Sequence, residues 1–188
     1  MTARIALGIV ARTGWAVAVA LSGSAEKPVF AGRWPIELVP DDLPRQPYHA
    51  AADLGHVEGA EIVRQVERAA GQSAAEALQS TVTALGGVTV IGLLVKPEAQ
   101  APESLADVLS SHVAIHTAEG ELYREALLSA SESLSAPVLA ITADMLPLAD
   151  EQVRALGVVA GRPWRREEKD AARCALVALR APGRARSS

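Results

Sequence analysis

Apolar residues fall in dense short runs near the start of the chain and at helical spacing further on. Ile5 to Val10 is an uninterrupted apolar run of strand length, and Trp15 to Leu21 is a second one, rich in Val. Only Arg12–Thr13–Gly14 separates them, so the two runs pair as an antiparallel hairpin. Ser22–Gly23–Ser24 turns the chain again. Pro28 to Leu38 then carries Val29, Phe30, Trp34, Ile36 and Leu38 as a third strand. Pro35 has no backbone N–H to give to a ladder, which confines that strand to an edge or a bulge.

Beyond Leu38 the period changes. Pro40 to Pro47 is polar with three prolines and reads as a connection over the surface, followed by Tyr48 and His49 as its anchor. From about Val57, Ile62, Val66 and Ala69 recur at helical spacing. Gly71 predicts a break, and Ser73 with Glu76 has the form of a capping box that restarts the helix. Leu78, Val82 and Leu85 continue the stripe until Gly86–Gly87 stops it. Val88 to Val95 is a buried central strand by its near-continuous apolar character. After a loop from Pro97 to Pro102, Pro102 and Glu103 open a helix with Leu105, Val108, Leu109, His112 and Val113 on one stripe. Thr117 is the predicted N-cap of a separate helix running to about Ser133, with Glu119 and Glu121 in a first turn where the helix dipole favours acids. Pro137 to Thr142 is a further strand, Ala149 to Leu156 a short helix and Gly157 to Pro163 a loop. Arg165 to Leu179 forms the last helix; its half from Ala171 onward is apolar all round and therefore packs on two sides. A three-strand meander followed by two strands reached through helical crossovers predicts an α/β fold: a five-stranded mixed sheet with helices on both faces.

A length of 188 residues fits one domain, expected over 1–180, with 181–188 as a basic flexible tail. Aromatic residues are only 3%, so the core must be built from Ala, Val, Leu and Ile. The net charge of −4 gives no global field for nucleic acid and leaves only a local patch for that purpose. The single cysteine, Cys174, excludes an internal disulfide and a multi-cysteine zinc site, and its apolar helix makes it an inert core thiol. No apolar run approaches the roughly 18 residues of a membrane span, and the first residues lack a secretory signal pattern, so a cytoplasmic protein is expected. There is no Gly-x-Ser-x-Gly elbow and no dinucleotide fingerprint.

Three stretches resemble a known family. Leu7–Gly8–Ile9–Val10–Ala11–Arg12–Thr13–Gly14–Trp15–Ala16–Val17 is similar to a first hairpin of the form Gly-Ile-Asp-x-Gly followed by Thr-Gly-aromatic. Thr117 to Ser133 is similar to the helix after the fourth strand, and Glu167 to Leu179 to a last helix that brings an Asp into an Ala/Leu-rich stretch. On these and on the order of elements the chain resembles the ribonuclease-H-like superfamily, and within it the Holliday-junction resolvases of the RuvC type. The resemblance implies two Mg²⁺ ions held between carboxylates on the first strand, the fourth strand and the last helix. Here Val10 stands at the first-strand acid, and Val88 to Val95 has no acid, Glu98 being the nearest. Only the last helix keeps acids: Glu167, Glu168 and Asp170. The expectation is a ribonuclease-H-like fold without nuclease activity, serving as a binding or assembly module. Nucleic acid and a second copy of the chain stay open as partners. The alternative is a Mg²⁺-dependent nuclease with a displaced site of Glu98, Glu121, Glu168 and Asp170.

Other clusters allow a small-molecule site. His116, Glu119, Glu121, Tyr123 and Arg124 form the densest polar run, placed where strand ends gather ligands in open sheets. Arg12 and Thr13 of the first turn, and His49 after the proline-rich connection, are added to it as candidate ligand-binding residues; the plainer reading is a capped helix, a tight turn and a loop anchor. His112 and His116, four apart, would aim at one ion on a common helix, with Glu119 or Glu121 as third ligand. The core stripe through His112 and the new element at Thr117 argue against this, so no metal is expected there. Arg162 to Asp170 mixes four basic residues with three acids and Trp164, either to meet a base or phosphate or as a solvated helix start.

Overall fold

The structure is a computed structural model that describes residues 4–96 and 104–181. Three strands come first: β1 (Ile5–Arg12), β2 (Trp15–Gly23) and β3 (Pro28–Glu37). Helices α1 (Pro47–Ala52) and α2 (His56–Ala84) lead to strand β4 (Val90–Leu94). Helices α3 (Leu105–Leu109) and α4 (His112–Glu132) lead to strand β5 (Val138–Ile141), and α5 (Asp150–Ala160) and α6 (Arg166–Arg180) complete the chain. The sheet order is β3-β2-β1-β4-β5. β1, β2 and β3 pair antiparallel as a meander, while β4 pairs parallel to β1 and β5 parallel to β4. Pro35 lies on the edge strand opposite Val17, where its missing N–H costs no ladder bond.

The alternation along each strand splits the core in two. Leu7 and Ile9 of β1, Ala16, Ala18 and Ala20 of β2, and Ile91 and Leu93 of β4 pack with α2 and α4 on one face. Ala6 and Val10, Val17, Val19 and Leu21, and Val90 pack with α5 and α6 on the other. Helix α6 presents Ala171, Ala172, Ala175 and Ala178, all without exposed surface, and its backbone lies in close contact with the sheet. The reason is a pair of glycines. Gly8 and Gly92 are register partners across β1 and β4. A Cβ on Gly8 would overlap the Ala171 carbonyl oxygen and lie 2.5 Å from the Ala175 nitrogen. One on Gly92 would lie 2.9 Å from the Cys174 carbonyl oxygen. These are backbone atoms of a packed helix and cannot swing aside.

Several elements differ from the sequence reading. Gly71 does not break α2, which runs 29 residues without interruption, and Ser73 and Glu76 lie inside it rather than at a cap. Val66, Ala70, Ala74 and Leu78 keep one continuous buried stripe across Gly71, and that burial outweighs the local propensity cost of one glycine. α5 continues through Gly157 to Ala160 for the same kind of reason, since Trp164 packs directly onto the bare Gly157 backbone. Tyr48 and His49 lie on the short helix α1, started by Pro47, rather than on a loop. Glu98, the helix opening at Pro102–Glu103 and the tail beyond Ala181 lie outside the described residues. No helix among the described residues is long and apolar enough to cross a membrane.

Three outcomes follow from this packing. Gly8→Ala should lower the unfolding free energy by about 3 kcal/mol in urea denaturation, as overpacking against backbone does. Gly71→Ala, whose added methyl meets nothing within 4 Å, should instead raise it by about 0.5–1 kcal/mol. Burial, with the nearby Asp170 charge acting in the same direction, pushes the Cys174 thiol up to about 12. Cys174 should therefore resist alkylation in native protein at mildly alkaline pH and react only on unfolding, as followed by mass spectrometry.

Candidate functional sites

Where β1 ends against the start of α6, an ion pair joins the two elements. Even-numbered residues of β1 face α6, so after Ala6, Gly8 and Val10 the next side chain on that face is Arg12. Its Nε donates to Glu167 Oε1 at 3.1 Å. Burial by itself would raise the Glu167 carboxyl, but its backbone hydrogen bond at the helix start, the Arg12 bond and the charges of Arg12 and Arg166 together hold it below the usual range. The other acids of α6 are committed as well. Glu168 is buried and accepts from the Arg165 backbone N–H at 2.8 Å, closing the N-terminal turn. Asp170 accepts from Arg173 at 3.0 Å and lies 3.6 Å from Arg166. Glu121 is on α4, across the sheet, where Arg124 donates to it at 2.6 Å. Glu121, Glu168 and Asp170 are thus not brought together, and Glu168 and Asp170 face away from Glu121 with the whole sheet between them.

A second constellation forms on the other face, and it differs from its sequence reading. The helix break falls at Ser110–Ser111, not at Thr117. Ser104 caps α3, and Ser111 caps α4 by accepting from the Ala114 N–H at 3.1 Å. Thr117 lies within α4 and donates to the Val113 carbonyl. His112 and His116 therefore share one helix and are both exposed, and Val113 is exposed rather than part of a core stripe. Their Nε2 atoms are 3.0 Å apart. The third member of the cluster is neither Glu119 nor Glu121 but His49, from α1. A small core of Val108, Ile115 and Ala118, joined by Tyr48 and Leu109, fastens α1 and α3 to the first turns of α4 and so carries His49 over them. Glu119, 2% exposed, sits beneath. Its Oε1 accepts from the His49 backbone N–H at 3.2 Å and from His49 Nδ1 at 2.9 Å. Among the described residues this is the one group of three or more histidine, cysteine or acidic side chains whose ligand atoms converge.

The remaining sequence candidates separate. Arg12 points to the α6 face, and Thr13 is exposed in the hairpin turn. Tyr123 is fully buried, and its hydroxyl donates to the Arg45 carbonyl at 2.5 Å; burial, with Glu119 nearby, raises its pKa. The structure thus gathers His49, His112, His116 and Glu119 and leaves Arg12, Thr13, Glu121 and Tyr123 elsewhere.

A feature that sequence reasoning underrated lies between α5 and α6. A cleft of about 910 Å³ is lined by Arg154, Arg162, Arg165, Lys169 and Arg173 against one acid, Asp150. Arg173 is paired with Asp150 and Asp170. Arg154, Arg162, Arg165 and Lys169 form no ion pair among the described residues. Trp164 forms part of its wall, but its Nε1 donates to the Val153 carbonyl at 3.1 Å and Phe30 meets its ring edge-on, so the indole is held by packing. The interleaved acids in the sequence from Arg162 to Asp170 concealed the patch, because the helix turns Glu167 and Glu168 away from Lys169.

The Arg12–Glu167 pair has a pH signature. A carboxyl whose folded pKa is lowered adds stability that is complete above the unfolded value of about 4.3 and vanishes as the pH falls through the folded one. Arg12→Ala should cost about 0.5–1 kcal/mol at neutral pH, the range of a partly exposed pair, and the gap to wild type should shrink in acid, measured by urea denaturation at both pH values.

No protein-family model and no curated protein sequence matches the chain. Solved structures do. RuvC from T. thermophilus, in complex with Holliday junction substrate, is similar with a TM-score of 0.55 and 13% identity over 93% of this chain and 91% of that one. A second structure of Thermus thermophilus RuvC gives a TM-score of 0.51 and 13% identity over 92% of each chain. Sheet order, strand directions and helices on both faces agree with this likeness, and the chain has the ribonuclease-H-like fold, the fold of RuvC.

Proposed function

We propose that this chain is a ribonuclease-H-like binding module that holds nucleic acid without cutting it. The observation that carries the reading is the surface where β1 and α6 meet. Two-metal phosphodiester hydrolysis needs carboxylates from several elements around ions about 4 Å apart. Here the β1 side chains facing α6 are Ala6, Val10 and then Arg12, and the guanidinium of Arg12 already occupies Glu167. β4 contributes Val90, Gly92 and Leu94 on that side. A cation covalently part of the protein thus stands between two of the three elements to which the fold resemblance assigns metal ligands. It neutralises the acid and brings no water to activate.

The α5–α6 cleft supplies the binding part of the reading. Four cations without carboxylate partners among the described residues, on a chain whose net charge is −4, are a local concentration of positive charge. Such a patch attracts phosphates through counterion release whatever the global charge. Arg165, at the N-cap of α6, and Lys169, in its first turns, both line the cleft, so a phosphate backbone lying there would meet the start of that helix. The competing reading, a nuclease working through displaced acids, has to break the Asp170–Arg173 and Glu168 capping bonds before either carboxylate could ligate an ion.

The test is binding and cleavage of four-way junction, duplex and single-stranded DNA in Mg²⁺ and in Mn²⁺, read on native and denaturing gels. Salt-sensitive binding without new fragments is expected. Replacing Arg154, Arg162 and Lys169 together by Glu should abolish it, and each single change should lower the log–log salt slope by about one. Cleavage that Asp170→Asn removes would establish the nuclease reading instead, and failure to bind any of these nucleic acids at low salt would end the proposal.

A further inference from the structure

The histidine cluster lies on the opposite face of the sheet from the cleft and stands independently of the reading above. We propose that His49, His112 and His116 bind one divalent transition-metal ion of the zinc type, with Glu119 as the carboxylate that orients His49.

The ligand atoms are already gathered. One nitrogen from each ring lies within 4.8 Å of the others, and the Nε2 atoms of His112 and His116 are 3.0 Å apart. A tetrahedral zinc ion with Zn–N bonds of about 2.0–2.1 Å sets its ligand nitrogens roughly 3.3 Å from one another. The pair on α4 is therefore at ligand spacing. The longest separation must close by about 1.5 Å, which rotation of the exposed His112 and His116 rings can supply. The i, i+4 spacing on one helix face is what aims both rings at a common point.

The donor chemistry is also set. A carboxylate oxygen only accepts, so His49 Nδ1 carries the proton in its 2.9 Å bond to Glu119. When the ring is neutral, that bond leaves the His49 Nε2 lone pair free. This is the carboxylate–histidine–metal arrangement in which the outer acid fixes the tautomer and raises ligand basicity. Glu119 has its own reason to need a cation. It is almost fully buried, and no Lys or Arg pairs with it among the described residues. A buried carboxylate without compensating charge is costly. A divalent ion beyond His49 compensates it through the ring. Three imidazoles favour zinc, cobalt, nickel or copper over Mg²⁺, so this site is chemically distinct from a two-magnesium nuclease centre. His112 and His116 are exposed, so the fourth coordination position opens to solvent and takes water.

The experiment uses the full chain without an affinity tag, stripped with a chelator. Co²⁺ is titrated with visible absorption as readout, and Zn²⁺ by calorimetry and by its effect on Tm. One equivalent should bind, with a tetrahedral cobalt spectrum and a rise in Tm. His112→Ala and His116→Ala change exposed residues and leave the fold intact by circular dichroism; each should abolish the spectrum and the Tm rise. Glu119→Gln should weaken binding about 10–100-fold. His56→Ala, which removes the one histidine outside the cluster, should bind as wild type does. Absence of stoichiometric binding, or binding that survives loss of both His112 and His116, would overturn the proposal.

Discussion

The structure hangs on the contact between α6 and the two glycines beneath it. With Gly8 and Gly92 side by side in the parallel ladder, the backbone of α6 at Ala171, Cys174 and Ala175 reaches the backbone of the sheet. The core has few aromatics to fill a wider gap, so close approach of backbone to backbone is how an Ala- and Val-rich interior reaches native density. Everything on this side of the sheet takes its position from that contact: the start of α6, the closure of its first turn by Glu168, and the placing of Arg165 and Lys169 along the α5–α6 cleft.

The same contact decides what the end of β1 can do. Because even-numbered residues face α6, position 10 looks into the helix and position 12 reaches its first turn. With valine at the first and arginine at the second, the polar end of the interface is an intramolecular salt bridge. An ion pair of this kind adds little to stability, being partly exposed, but it consumes an acid that would otherwise be free to bind a cation. The pair neutralises Glu167, while Arg154, Arg162, Arg165 and Lys169, which form no ion pair among the described residues, line the cleft nearby.

The opposite face works differently. There α2 and α4 cover the sheet with larger residues, and α1 and α3 lie outside them as short helices fastened by a small core of their own. That outer layer is where buried charge and exposed imidazole meet. Glu119 is drawn into the interior by the helix that carries it, and His49 is drawn to Glu119. The two faces thus carry two separate chemistries, one built on guanidinium and ammonium groups, the other on imidazoles.

Much of the fold was legible in local order. The hairpin, the edge strand marked by Pro35, the parallel crossovers and the doubly packed last helix all follow from short-range periodicity, because alternation and turn residues act over a few positions and need no partner. Gly8 could be read as part of a motif, but its partner Gly92 acquires meaning only when β4 docks beside β1. The helix breaks at Gly71 and Thr117 were misplaced for a related reason. A continuous buried stripe overrides one glycine, and the choice between Ser111 and Thr117 as cap depends on which turn packs against Tyr48. The site was half legible: the spacing of His112 and His116 is local, whereas His49 is more than sixty positions away and is brought to them only by the docking of α1. Sequence by itself determined the elements and the residue types available to them. Tertiary structure alone decided which charges end up paired, buried or gathered, because those outcomes depend on distances across the fold that no local pattern encodes.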